Sequence, residues 1–537
     1  MNSRTNDTSG REKRSRDRRS SQKSPIRPSA KTFSIVSLGC PKNLVDGESM
    51  VGLLTARDYR FVSEARNVEL VILNTCGFIE AARNEAFECL NELLELKKRG
   101  RICFLVVTGC LIQVEKREEL LDRFRDVDAW LGPFTETELV DVVERLRSGN
   151  IEAEVPKVAV SEETVDPTTQ TTAIANTNEK AASETPSLEP SWVKANRVLP
   201  TFRSTPQKHL TFFDHDRELL TLGHVAYLKI AEGCDRFCSY CLIPSIRGRF
   251  VSKPMNSILD EAKRLAEKGV RELVLIAQET TFWGSDLDGS PRLASLLIQL
   301  RDLGLFDWIR VLYSYPQGFD DELLSVLGST CSKADSTGQS LVLPYVDLPL
   351  QHCNDTILKQ MNRRCGKCET EELLSRLRET IPNLILRTSI IVGFPGETDA
   401  IFAELVDFMA KWKFERAGIF EFSPEAGTPA STLPDQVPAR VRNQRYKKLY
   451  AKQERISHGF SRGLVGRSVP VLVDRMGSDG EGNEIDDLFL GRTLADAPDV
   501  DPLVYITGTN LIPGTFVDCE MVDVSGLDLI AIPAEQD

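Results

Sequence analysis

The chain has 537 residues, 41 % of them apolar, and a formal net charge of −13. It is too long for one ordinary domain and apolar enough to build several cores. Its 13 cysteines are an odd and sparse count, which excludes a short disulfide scaffold, and no run of about 18 uncharged apolar residues offers a membrane span.

Residues 1–31 carry ten Lys/Arg, three Asp/Glu and no apolar run. The stretch 1–30 therefore reads as a disordered basic tail and not as a signal peptide, which needs an apolar segment. A solvated tail is the plain reading, and contact with nucleic acid is the alternative. With neither leader nor span to expect, the expected setting is a reducing cytoplasm. There, clustered cysteines bind metal or do chemistry more often than they form bridges.

Over 31–148 the sequence keeps a β/α rhythm. FSIVSLGC, LVILNTC and ICFLVVTGC each read as a buried strand that ends on a cysteine: Cys40, Cys76 and Cys110. Helical patterns such as EAFECLNELLELKKRG lie between them. The cysteines are 36 and 34 residues apart, close to one βαβ unit each. Parallel strands point the same way, so all three are expected at the carboxyl edge of one sheet, where open α/β sheets bind ligands.

Residues 149–210, rich in Thr, Ser, Ala, Glu and Pro, read as a flexible linker without chemistry. Over 220–455 six strand-like runs follow: HVAYLKI, RELVLIAQ, WIRVLYSYP, YVDLPLQH, LILRTSIIVGFPG and RAGIFEFSP. Helical stretches separate them, which predicts a full or partial parallel barrel with its chemistry at the carboxyl ends of the strands. STCSKADSTGQS, with Cys331, reads as a polar surface insertion. After the basic helical stretch ARVRNQRYKKLYAKQERIS, residues 466–535 turn to β-like segments and predict a small all-β barrel of OB-like size. The last segment, 466–537, holds fifteen Asp/Glu against three Arg and no Lys, a net of −12.

GCDRFCSYC, just after the first barrel strand, brings Cys234, Cys238 and Cys241 together. Three free thiols, or a zinc site short of a ligand, are the bland readings. Structural zinc takes four closed ligands, and no fourth is near. An iron–sulfur cube held by three thiolates leaves one iron open, where an amine and a carboxylate could chelate.

EGCDRFCSYCLIPSIRG resembles the radical S-adenosylmethionine superfamily, and GFPGE at Gly393–Glu397 is similar to that superfamily's cofactor-binding strand end. The resemblance implies a 4Fe-4S cluster on Cys234, Cys238 and Cys241, with S-adenosylmethionine on the fourth iron. Tyr240, Gly393 and Pro395 would lie against the cofactor, plain packing being the alternative for Tyr240. SLGCPKN, NTCGFIE and TGCL further resemble the cluster motifs of the methylthiotransferases, which implies a second 4Fe-4S cluster on Cys40, Cys76 and Cys110. A structural site or an electron relay is the other reading of that trio. The fold implied is an α/β multidomain chain: an N-terminal parallel α/β sheet domain, a central radical-SAM (β/α) partial barrel and a C-terminal TRAM-type barrel.

Such enzymes place sulfur and a methyl group at an unactivated C–H bond. A general base cannot help, because its pKa must lie near working pH, so no catalytic acid or base is assigned. The resemblance implies instead that S-adenosylmethionine serves as radical source and methyl donor. One branch of the family modifies an adenosine in transfer RNA, the other the β-carbon of an aspartate in small-subunit ribosomal protein S-twelve. RNA binding needs basic surface, whereas the C-terminal segment is acidic and suits a basic protein. The motif wording, including IPSIRGRFVSKP and AGTPASTLPDQVPARV, also resembles the ribosomal-protein branch. Expected partners are protein S-twelve, free or in the small subunit, a low-potential electron donor such as flavodoxin or ferredoxin, and a sulfur source. The transfer-RNA activity, and a non-catalytic iron–sulfur scaffold or redox sensor, are the alternatives.

Other cysteines are read separately. Cys89 and Cys103 fit as plain buried residues. Cys353 and the pair Cys365/Cys368 depart from the family pattern and could form a small metal site. His352 reads equally as a hydrogen-bonded structural residue or a functional one.

Overall fold

The computed structural model describes residues 31–133, 136–148, 198–201, 216–290, 292–329, 338–479 and 481–534. The basic tail, most of the linker and Cys331 lie outside the described residues.

The N-terminal sheet contains β1 (Thr32–Ser37), β2 (Arg60–Phe61), β3 (Val68–Thr75), β4 (Ile102–Gly109), β5 (Ala129–Leu131) and β6 (Val198–Thr201), in the order β2-β1-β3-β4-β5-β6. Every pairing is parallel. All eight residues of β3 are buried, because separate apolar cores cover the two faces of the sheet; a strand covered on both faces needs a continuous apolar run rather than alternation. Helix α1 (Pro41–Thr55) begins directly after Cys40, with Pro41 in the first turn where its missing N–H is harmless. Helix α2 (Glu80–Lys98) has an acid in its first turn and two lysines in its last, matching the helix dipole. Strand β6 was not announced by composition: four residues, VLPT, sit inside a stretch dominated by small polar residues.

The six predicted runs form the central sheet. Strand β7 (Val225–Lys229) is followed by a two-stranded ribbon, β8 (Ala231–Glu232) and β9 (Val251–Ser252). Then come β10 (Glu272–Ile276), β11 (Trp308–Val311), β12 (Leu341–Asp347), β13 (Ile385–Val392) and β14 (Arg416–Glu421). The order is β14-β13-β12-β11-β10-β7, parallel throughout. The array is not closed on itself, so the barrel is partial. The helix Ala439–Arg462 packs on β14 and leads into the last domain. There β15 (Ser468–Ser478), β16 (Glu484–Arg492), β17 (Val504–Thr507), β18 (Phe516–Ser525) and β19 (Asp528–Pro533) close a barrel in the order β15-β16-β17-β19-β18.

The C-terminal barrel does not hang free. Its segment 493–501 enters the central barrel at the amino ends of the strands, where Ala495 and Ala497 pack among Val225, Trp308, Leu343 and Ile385. Asp496 accepts from Arg416 at 2.6 Å, Asp499 from the Tyr227 hydroxyl at 3.0 Å, and Asp501 from Tyr345 at 2.5 Å and Arg387 at 3.3 Å. Deeper, Arg492 bridges Asp474 (2.7 Å) and Glu272 (2.5 Å), and Glu272 also takes Arg310 at 2.7 Å. All members are buried. Removing one partner from such a network leaves an uncompensated buried charge, so Arg492→Ala is expected to cost about 3–5 kcal/mol. Thermal unfolding of the variant checks this; an unchanged transition would show that the plug is not held by charge.

Candidate active site at the barrel mouth

Each N-terminal cysteine stands one to three residues past a strand: Cys40 after β1, Cys76 after β3 and Cys110 after β4. Parallel order brings them together at the carboxyl edge, as the spacing predicts. Gly39 has φ +89°, and a Cβ placed on it would sit 2.6 Å from Cys76 Cβ, so only glycine lets the Cys40 loop lie against Cys76. A Cβ on Gly77 would lie 2.9 Å from the Cys110 carbonyl carbon. Burial pushes the Cys76 thiol up and the Cys110 thiol up to about 12, and in both cases the neighbouring Cys40 adds to the rise.

Asn43, in the first turn of α1, locks these loops. Its amide donates to the carbonyls of Leu38 and Thr75, both at 2.9 Å, and its own carbonyl accepts from Asn74 at 2.7 Å. Its side-chain oxygen accepts from Arg247 at 2.7 Å. Arg247 belongs to the short helix Ile243–Arg247 that follows Cys241, so one side chain joins the two cysteine trios. It also donates to Asp46 at 2.8 Å, lies 3.6 Å from Glu232 and reaches the Cys110 thiol. Lys229 donates to Asp46 (2.5 Å) and Glu232 (2.8 Å). Burial by itself would raise the Glu232 carboxyl, but Lys229 and then Arg247 outweigh it and hold it down at about 2.

The second trio lies in the loop after β8. Burial pushes the Cys234 and Cys241 thiols up to about 12, and Cys238 acts on both. Arg236, inside the same loop, is held by Glu279 (2.8 Å from Nε), and its guanidinium lies 3.9 Å from the Phe282 ring and 4.0 Å from that of Tyr315. That clamp orients the loop. Tyr240 packs edge-on against Phe394 at 6.5 Å between centroids, which brings it together with Gly393 and Pro395. Gly393, at φ +74°, is buried, and a Cβ there would meet Arg442 Cγ at 2.4 Å. Pro395 is buried beside it.

The remaining expectations separate cleanly. Both ring nitrogens of the buried His352 are engaged, Nε2 with Glu397 at 3.2 Å and Nδ1 with the Asn354 N–H at 3.0 Å, so the structural reading fits it. Cys353 is buried in the main core, Cys365 bonds Thr370, and Cys368 bonds Glu372 at the surface. Cys89 is half-buried against the second N-terminal core.

Does this donor set suit iron–sulfur clusters? The described cysteines are all free thiols, two trios stand at the carboxyl edges of two parallel sheets, and the glycine cradle leaves the first trio no room for further side chains. Among the described residues no three His, Cys, Asp or Glu converge on a single-ion site. A cube spreads its thiolates over separate irons, a task for which three cysteine thiols at one sheet edge are suited. Cys76, Cys110, Cys234 and Cys241, hard to ionise in the free chain, must lose their protons on loading.

Known proteins complete the comparison. Residues 228–409 match the radical SAM superfamily, 465–533 the TRAM domain, and 32–132 a family described as uncharacterized protein family UPF0004. A solved structure of the radical S-adenosylmethionine methyltransferase TsrM from Kitasatospora setae shares the fold at a TM-score of 0.50 and 14 % identity, covering 84 % of each chain. Sheet, partial barrel and thiol trios thus define a radical SAM transferase, with a 4Fe-4S cluster and S-adenosylmethionine as its cofactors. Ribosomal protein uS12 methylthiotransferase RimO of Geotalea uraniireducens is 37 % identical over 93 % of this chain and 97 % of its own length. The protein of that name from Geobacter sulfurreducens is 39 % identical over 93 % and 97 %. The chain belongs to the RimO family of methylthiotransferases. No described helix is long and apolar enough to cross a membrane.

Proposed function

We propose that this enzyme methylthiolates the β-carbon of an aspartate in ribosomal protein S-twelve, using two clusters held by Cys40/Cys76/Cys110 and Cys234/Cys238/Cys241. The observation that carries the reading is the Arg247 bridge, which fixes the two trios side by side at one barrel mouth. When bound, the clusters and S-adenosylmethionine supply the one-electron, sulfur and methyl chemistry. The protein's share is geometry. Asn43 aligns the loops of the first trio, Arg236 and Glu279 clamp the loop of the second, and Tyr240 with Gly393 and Pro395 walls the cofactor side. A low-potential donor such as flavodoxin or ferredoxin, and a sulfur source, complete the reaction in the cytoplasm.

Charge supports the protein substrate, with one adjustment. Three of the fifteen C-terminal acids, Asp474, Asp496 and Asp501, have buried side chains engaged inside the molecule and present nothing to a partner; Asp499 accepts from Tyr227 but stays exposed. Asp479, Glu481, Glu484, Asp486, Asp487, Asp518, Glu520 and Asp523 stay exposed, against exposed Arg467 and Arg475. That surface repels phosphates and attracts a basic protein.

The test is an anaerobic turnover with both clusters loaded, reductant, sulfide and S-adenosylmethionine, offering protein S-twelve and unmodified transfer RNA together. Mass spectrometry is expected to find a methylthio group on an aspartate of the protein. An adduct on the RNA alone would overturn the substrate assignment. The absence of any adduct and of 5′-deoxyadenosine would favour a scaffold.

A further inference from the structure

One buried lysine beside the Cys40 loop makes no ion pair with a carboxylate among the described residues. Lys42 is the second residue of α1, two beyond Cys40, and only 7 % exposed. Its Nζ donates to the Ala277 carbonyl at 3.2 Å and lies 3.7 Å from the Tyr313 ring centroid. Ala277 and Tyr313 stand just past β10 and β11, so the ammonium is inserted into the carboxyl-end mouth of the barrel. Tyr313 itself is held at φ +62°, a conformation costly for an aromatic residue and characteristic of functional sites.

Among the described residues no carboxylate lies within ion-pair distance of Lys42. The strongest charge on it through space is the Cys40 thiol; the carboxylates that act on it, Glu232 and Asp347, are weaker, and both are committed elsewhere. Glu232 binds Lys229 at 2.8 Å and also Gln278. Asp347 accepts from Arg387 at 3.0 Å and from the Tyr313 N–H at 2.8 Å. The other buried cations of the mouth, Lys229 and Arg247, each have carboxylate partners. An ammonium carries three donors, and one carbonyl with one ring face leaves it under-satisfied. Burying a charge in this state is costly unless an anion arrives.

We propose that Lys42 binds the side-chain carboxylate of the aspartate that is modified. The inference rests on the substrate reading above and deepens it. The anion is a carboxylate, which the target aspartate or the methionyl end of S-adenosylmethionine could supply. The aspartate fits better, because Lys42 rises from the Cys40 loop and none of its bonds reaches Tyr240, Gly393 or Pro395, the expected wall of the cofactor. A lysine here holds the β-carbon of the aspartate, adjacent to the bound carboxylate, at the mouth between the trios. It also discriminates against a target without a carboxylate, such as adenosine.

The test compares wild type, Lys42→Gln and Lys42→Arg, each with both clusters loaded. Calorimetry measures binding of protein S-twelve, of S-twelve with the target Asp changed to Asn, and of S-adenosylmethionine. Iron content and the cluster paramagnetic resonance spectrum are read alongside. For K42Q, binding of S-twelve is expected to weaken roughly thirtyfold or more, the scale for removing one partner of a buried charge pair. Binding of the Asn form should be weak in wild type and weaken no further in K42Q, since coupled partners are not additive. K42R should recover part of the loss, and cofactor affinity should not change.

Wild-type affinity of K42Q for S-twelve would overturn the inference while leaving the substrate reading intact. So would a loss confined to S-adenosylmethionine, which would assign Lys42 to the cofactor. Iron loss or an altered spectrum in K42Q would make it a support of the Cys40 loop instead. A wild type that modifies only transfer RNA would overturn the substrate reading itself, and this inference with it.

Discussion

Replacing Cys40, Cys76 and Cys110 together by alanine is expected to abolish methylthiolation while 5′-deoxyadenosine is still released. The trios sit on different sheets, one past β1, β3 and β4 and the other past β8, so emptying one leaves the backbone that holds the other. Two four-iron clusters on six thiolates carry about eight irons, and either triple variant should retain about four. The mirror experiment, Cys234, Cys238 and Cys241 to alanine, should lose 5′-deoxyadenosine and product together. Iron assay and nucleoside chromatography decide the matter. If both variants behaved alike, the two sites would not have separate roles. Folding is not at stake in the second trio, whose loop is independently clamped by Arg236 on Glu279. The buried Cys110 lies closer to the core, and the far-ultraviolet spectrum is the control for it.

The second large effect is expected at Arg247. Its guanidinium serves Asn43, Asp46 and Glu232 at once and is 2 % exposed. Changing it to alanine leaves Asp46 with Lys229, and Glu232 with Lys229 and Gln278, in a site where burial opposes charge. The expected cost is about 3–5 kcal/mol, the range for breaking a buried ion pair by removing one partner. Function should suffer more than stability. With the bridge gone the first trio is no longer fixed against the second, and small displacements of reacting groups cost large factors in rate. S-adenosylmethionine cleavage should continue, with the yield of methylthio product per 5′-deoxyadenosine falling sharply. Lysine at this position should restore charge without the fork that serves three partners, and so rescue stability better than coupling. Equal loss of both products in R247K and R247A would mean that Arg247 only supports the fold.

Acid dependence follows from the same network. Glu232 is held below the ordinary carboxyl range in the folded chain. Its stabilisation is therefore complete above the unfolded value and is lost as pH falls toward the folded value of about 2.

The cysteine trios were legible because local rules suffice for them. Buried parallel strands are continuous apolar runs, and a cysteine that closes each run must emerge at the same sheet edge. The six barrel strands and the small C-terminal barrel were legible for the same reason, each being a period or a turn pattern within some ten residues. Tyr240 and the Gly393–Pro395 strand end, 153 residues apart in the chain, meet through the Tyr240–Phe394 ring contact. Strand β6 was hidden, since four residues give no period to read.

What the sequence determined by itself, then, was placement: which thiols stand at which strand ends, and in what order of domains. What only the tertiary structure decided was how charge is used. Arg247 contacts Asn43 across 204 positions and Lys42 reaches Ala277 across 235, separations at which no local pattern pairs residues. Nor did the count of fifteen acids reveal that three of them have side chains buried and engaged inside the molecule. The reason is physical. Backbone preferences and hydrophobic periods act over a few residues, whereas the energy of a charge depends on burial and on partners that come together only when the domains pack.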